Sequence, residues 1–172
     1  MNNGKTAFAA LTLGMAMVVP LSAAHAETVR DPLMGFSISF PGDADREDLD
    51  GEMPDWVHRA VAWDQHDGRG YYNITAAQTL PDRYVYNDLP AVLRDARSEC
   101  IAGDEIVSEQ SIAVSGGLGG EVLTKRKEFS GTIYDLVRFA AKGNKIYCVR
   151  GTYGEGDDGS AARAFVRSFI VF

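Results

Sequence analysis

The sequence predicts a single α+β domain, and three observations carry that prediction. Runs with apolar residues at every second position recur along the chain, two stretches carry apolar residues at helical spacing, and nothing between them reads as a linker, a repeat or a low-complexity tract. The domain begins after a segment of another kind. Residues 1–26 open with one cation, Lys5, continue through a weakly polar to apolar stretch from Thr6 to Val19, and are broken at Pro20. Ala24-His25-Ala26 then supplies the small-x-small pattern a signal peptidase accepts. We therefore read residues 1–26 as a cleavable signal peptide, with Ala24 and Ala26 at the cleavage site and the working domain over 27–172. The apolar stretch is shorter than the roughly 20 residues a membrane span takes. No cysteine marks a lipoprotein anchor and no arginine pair marks the twin-arginine route. The expected location is periplasmic or secreted, with no membrane span after signal removal.

Removing 26 of 172 residues leaves 146, enough for one domain with a full core. Lys5 leaves with the signal, so 16 basic residues face 24 acidic ones, a formal charge of −8. Such a surface repels phosphate backbones, and no basic stripe reverses this, which argues against nucleic acid as a partner.

The elements follow in order. Phe36, Ile38 and Phe40 alternate with serines before Pro41-Gly42, the pattern of a half-buried strand ended by a turn. Asp43 to Glu52 is acidic without apolar period and reads as an exposed loop. Trp56–Trp63 and Tyr71–Leu80 form a hairpin about the polar turn 64–68. Asn87 is placed to cap a helix with Pro90 in its first turn. Leu89, Val92, Leu93, Ala96 and Cys100 make its apolar stripe, and Gly103 is placed to end it. Ile106–Val114 leads through the glycine-rich 116–120 into Glu121–Phe129. Thr132–Lys142 turns at Gly143-Asn144 into Lys145–Tyr153, a strong two-residue hairpin signal. Leu136 and Ala140 lie on one face of Thr132–Lys142, with Val137 and Phe139 on the other, so that strand belongs in a sheet covered on both sides. Ser160 is placed to cap a last helix carrying Ala162, Phe165, Val166 and Phe169.

The chemistry-bearing residues are few. Cys100 and Cys148 remain in the exported domain, and an even count in an oxidising compartment favours a disulfide over two separate buried thiols. Joined, they close a loop of about 48 residues, for which chain entropy gives roughly 4 kcal/mol. The acids from Asp43 to Glu52 fail the calcium-loop pattern, since Asp48 and Pro54 stand where glycine and glutamate are needed. His58, Asp64, His66 and Asp67 could form a metal or acid–base set if the hairpin brought them together; turn formation explains the aspartates equally well. Gly116–Gly120 lacks a phosphate-loop ending and leads into a strand, and neither serine-glycine pair forms a hydrolase elbow. An outer-membrane barrel ending in Phe172 would not tolerate charges on both faces of Lys125-Arg126-Lys127-Glu128. No catalytic, cofactor-binding or metal-binding residue emerges, and no cofactor is expected.

Gly35-Phe36-Ser37-Ile38-Ser39-Phe40-Pro41, Gly119-Gly120-Glu121 entering a strand, the Gly143-Asn144-Lys145-Ile146-Tyr147 hairpin and Arg163-Ala164-Phe165-Val166-Arg167-Ser168-Phe169 resemble the PsbP-like superfamily. The resemblance covers most of residues 27–172. It implies an antiparallel sheet sandwiched between helices, an α/β/α architecture, and a non-enzymatic role in binding or assembling other proteins; for an exported chain the expected partner is a protein of the cell envelope. It brings no catalytic residues to transfer. Tyr71, Tyr72, Tyr84 and Tyr86 are candidate contact aromatics, with sheet packing as the competing role. Two further functions stay open: a small hydrolase or metal-dependent enzyme using the 58–67 hairpin, and a carrier of a small apolar ligand, which a sizeable pocket between sheet and helix would favour.

Overall fold

A computed structural model describes residues 26–51, 53–68, 70–80, 88–101 and 103–172. The segment expected to be the signal peptide therefore lies outside the described residues, apart from Ala26, as do Tyr84, Tyr86 and Asn87. Ten strands and two helices make up the described structure: β1 (Glu27–Asp31), β2 (Phe36–Phe40), β3 (Asp45–Asp48), β4 (Val57–His66), β5 (Gly70–Thr79), α1 (Leu89–Cys100), β6 (Glu105–Val114), β7 (Gly117–Glu128), β8 (Gly131–Lys142), β9 (Lys145–Gly154), α2 (Ser160–Ser168) and β10 (Ile170–Val171). Seven strands form one open antiparallel sheet in the order β3-β4-β5-β9-β8-β7-β6. The other three form a small sheet, β1-β2-β10.

This corrects the expected α/β/α sandwich. The described residues are mostly β, with two short helices, and only one face of the large sheet is covered by a helix without help from strands. The reason is size. Seven strands about 4.8 Å apart span roughly 29 Å, whereas the nine residues of α2 rise only about 13 Å. The small sheet completes that layer: Val29, Phe36, Ile38, Phe40 and Val171 pack with Phe165 and Val166 of α2 against Tyr72, Ile74, Tyr147 and Val149. On the opposite face, Val92 and Ala96 of α1 lie against Ala60, Ala77, Ala141 and Ile146. Cys100, at the end of the same stripe, joins Val122, Val137 and Phe139. The two-faced strand thus sits where its pattern places it, in β8 with Leu136 on the α2 side and Val137 on the α1 side.

Local corrections are smaller. The acidic 43–52 stretch contains β3, an edge strand paired with β4 and exposed throughout. An exposed edge needs no apolar period, and its charges discourage further pairing. Gly119 and Gly120 lie inside β7 rather than in a connector; the turn is at Gly116, with φ +67°. A Cβ on Gly120 would sit 2.3 Å from Cζ of Phe139, whose ring lies across it. Helix α1 is capped by Asp88, whose Oδ1 accepts from the Ala91 amide at 3.0 Å. Ser160 is the first residue of α2, not its cap; Gly159 holds the cap position at φ +66°, and Asp158 Oδ1 accepts from the Ser160 amide at 2.8 Å. That contact holds the Asp158 carboxyl below its ordinary range, as expected for acids beside a helix N-terminus.

Candidate functional site

The 58–67 hairpin does not assemble an acid–base or metal set. His58 and His66 are eight residues apart on the one strand β4, a separation of roughly 27 Å. His66 Nδ1 accepts from the Gly68 amide at 3.1 Å, and Asp67 Oδ1 accepts from the Gly70 amide at 2.8 Å. Both side chains are thus engaged in shaping the turn. The acids near β3 are similarly occupied. Arg46 pairs with Asp48 at 2.6 Å, and Asp50 Oδ1 accepts from the Ala60 amide at 2.7 Å. Among the described residues no three histidine, cysteine or acidic side chains converge as metal ligands would.

The structure instead brings together residues of β5, β9 and α1. Strand registry aligns Ala77 with Ile146, Thr75 with Cys148, Asn73 with Arg150 and Tyr71 with Thr152. Alternation puts all eight on the face that carries α1. Going from Ala77 toward Tyr71, this face changes from apolar to hydrogen-bonding while α1 comes to an end above it. A cleft of about 310 Å³ results, walled on one side by Met53, Pro54 and Trp56 and on the other by Ala96, Glu99 and Cys100. Its floor includes Asn73, Thr75, Cys148 and Arg150. The volume lies at the lower end of the range for small-molecule sites.

The polar end is ordered from within. Thr75 Oγ1 donates to Asn73 Oδ1 at 3.3 Å, and the Arg150 guanidinium donates to the Cys100 carbonyl at 2.8 Å. The second contact satisfies a carbonyl left over at the end of α1 and places positive charge at the negative end of the helix. Burial, with a smaller contribution from the neighbouring Asp64 charge, raises the Tyr71 phenol above its ordinary value. Deeper along the same face, the buried Asp135 carboxylate accepts from both Arg126 and Thr152.

The two cysteines lie on the same face of the sheet and in one apolar cluster. Both are thiols in this structure, and their sulfurs are not within bonding distance. Cys100 is buried, with Sγ 3.9 Å from the Tyr147 carbonyl; Cys148 is half-buried and open to the cleft. Burial first, and then the adjacent Cys148 thiol, push the Cys100 thiol well above its ordinary value. Of the tyrosines singled out from sequence, Tyr72 is a core residue packed on the Phe165 ring at 5.4 Å, and Tyr71 lines the cleft. The residues sequence reasoning missed are Asn73, Thr75 and Arg150. Their signal was present in the period-two pattern of both strands but became readable only once β5 and β9 were known to be neighbours.

The chain is similar to cyanobacterial PsbP (CyanoP) from Synechocystis sp., with a TM-score of 0.52 at 15% identity over 89% of this chain and 96% of that one. The fold is PsbP-like. A Bacteroides thetaiotaomicron protein matches 80% of this chain at a TM-score of 0.48 and 13% identity, and this chain spans 45% of that protein's length. A Pseudomonas aeruginosa protein of unknown function matches at 0.38 and 11% identity, over 77% of this chain and 85% of that one. No family model matches the sequence, and no curated protein matches it. At such identities the likeness speaks to fold alone.

Proposed function

We propose that this chain is an exported, non-enzymatic binding module that holds a small ligand in the cleft between α1 and strands β5 and β9. The observation that carries the reading is the gradient along that cleft, from Ala77 and Ile146 to Asn73 and Arg150. It suits a molecule with an apolar body and one hydrogen-bonding end. Export rests on the signal-like pattern of residues 1–26, with cleavage after Ala26, and delivers the domain to a periplasmic or extracellular space. Among the described residues no helix is long and apolar enough to cross a membrane.

Fluorescence tests the cleft directly. The chain has two tryptophans; Trp56 lines the cleft, whereas Trp63 packs on the opposite side of the sheet. In a Trp63→Phe background, anilinonaphthalene sulfonate should quench Trp56 saturably. Adding Thr75→Phe, which fills the floor, should weaken binding about tenfold or more while leaving the unfolding midpoint near that of the parent. Equal binding in the blocked variant would defeat the reading.

A second reading, assembly with a protein partner, is favoured by one other place in the fold. Strand β6 is an edge of the large sheet with nearly all its side chains exposed, and Phe129 stands fully exposed in the β7–β8 turn. Such an edge can take an added strand from a partner. Ser111 pairs with Gly120 at a position whose N–H faces the open side of the edge strand, and replacing it by Pro removes that donor. The substitution would weaken a β6-mediated complex and leave probe binding in the cleft unchanged.

A further inference from the structure

The cleft contains a device that its role as a binding site does not require. Cys100 ends α1, Cys148 lies beneath it on β9, and both line the same cavity. The helix end is already tied to β9 through Arg150 and the Cys100 carbonyl. Around the sulfurs the structure is apolar, with Val122, Val137 and Phe139 in the same cluster. Joining the thiols therefore places no new polar group in the core. Since the sulfurs are not within bonding distance, the last turn of α1 must move toward β9 for a bond to form, and the cavity lies between those two elements.

We propose that Cys100 and Cys148 are a reversible dithiol–disulfide pair whose oxidation draws α1 onto β9 and narrows the cleft. The oxidant is a small-molecule disulfide, which the cleft admits to Cys148 first because Cys148 is the half-buried thiol and Cys100 the buried one. Cys148, having lost its proton, attacks one sulfur of the reagent. A new S–S bond forms as the reagent's own breaks, and the departing sulfur carries the electron pair and takes up a proton. Cys100, deprotonated in turn, attacks Sγ of Cys148; the mixed disulfide breaks, and the second reagent sulfur leaves with its pair and is protonated. Two protein thiols are oxidised and one reagent disulfide is reduced to two thiols. Burial of Cys100, which holds its proton tightly, makes the second step the slower one.

This inference rests on the cleft as a binding site, and its test separates the two. The chain recovered from the cell is reduced, dialysed and incubated in its folded state with oxidised glutathione. Intact mass and thiol alkylation read the bond, and titration with anilinonaphthalene sulfonate reads the cleft. The expected wild-type product has lost two hydrogens, resists alkylation at both cysteines and binds the probe several-fold more weakly until reduced. Cys100→Ser should stop at a mixed disulfide on Cys148. Persistence of both free thiols, arrest of the wild type at the mixed disulfide, or a bridged protein with undiminished probe affinity would overturn the proposal. If the reduced protein never binds the probe but the bridge forms, the ligand-binding reading fails and the sulfur chemistry stands.

Discussion

Gly151 decides how closely α2 approaches the sheet, and replacing it by alanine tests the packing of that layer. A Cβ at this position would lie 2.9 Å from Cβ of Ala162, 3.0 Å from its Cα and 3.1 Å from its carbonyl oxygen. Comfortable carbon–carbon separations are about 3.5–4.0 Å. Two of the three atoms met are helix backbone, which cannot swing aside as a side chain could, so α2 must lift by several tenths of an ångström along β9. Overpacking of this kind costs about 1–3 kcal/mol. Relief of the strand's glycine penalty returns about 0.5–1 kcal/mol, leaving a net loss of about 0.5–2 kcal/mol. For a chain of this size each kcal/mol moves Tm by about 2–4 °C, so Gly151→Ala should melt about 1–8 °C lower by calorimetry. The decisive control is Ala162→Gly. Alone it costs about 1 kcal/mol of helix propensity, but combined with Gly151→Ala it removes the shortest of the three contacts and leaves the two to backbone atoms, so the two losses should fall short of their sum by about 0.5 kcal/mol. An unchanged Tm in the single variant, or strict additivity in the pair, would mean that α2 does not pack on β9 at Gly151.

Two further perturbations probe other layers of the structure. Tyr147 donates its hydroxyl to the Met34 carbonyl at 2.7 Å, fixing the large sheet to the segment before β2, and Tyr147→Phe should cost about 1–2 kcal/mol in urea unfolding. Burial, then the Asp31 charge, raise this phenol far above its ordinary value of 10.0. The folded state therefore favours the protonated phenol: its contribution is intact below about pH 10 and is lost as pH rises beyond. The phenylalanine variant should lack that part of the alkaline decline, and equal slopes above pH 10 would contradict the assignment. Asp135→Ala removes the buried carboxylate that Arg126 and Thr152 share. With Arg126 still about one-third exposed, the expected cost is about 2–3 kcal/mol, and a loss below about 0.5 kcal/mol would show that the pair contributes little.

The parts of this fold legible in the sequence are those whose pattern is local. Alternation revealed β2 and the β4–β5 and β8–β9 hairpins, and the stripe Val92, Ala96, Cys100 gave α1 its buried face. What stayed hidden depends on partners distant in the chain. β1 and β10 are short strands that take their place by pairing with β2, so the small sheet has little signature of its own, and without it the α2 face was assigned wholly to helix. β3 is polar on both sides and gains its structure from the β4 edge. The cleft was invisible for the same reason. Asn73 and Arg150 are 77 residues apart in the numbering and become neighbours only through the β5–β9 register. The hairpin histidines illustrate the converse, since proximity in sequence on an extended strand carries side chains apart.

If the α1 face of the sheet, between β5 and β9, is where this protein meets its ligand, a bound probe should perturb that face and leave the opposite one unchanged. Amide chemical-shift mapping during titration with anilinonaphthalene sulfonate tests it most directly. Shifts should concentrate in Tyr71–Ala77, Ala96–Cys100 and Ile146–Arg150. Shifts centred on α2 and β2, on the opposite face, or the absence of any saturable change, would contradict it.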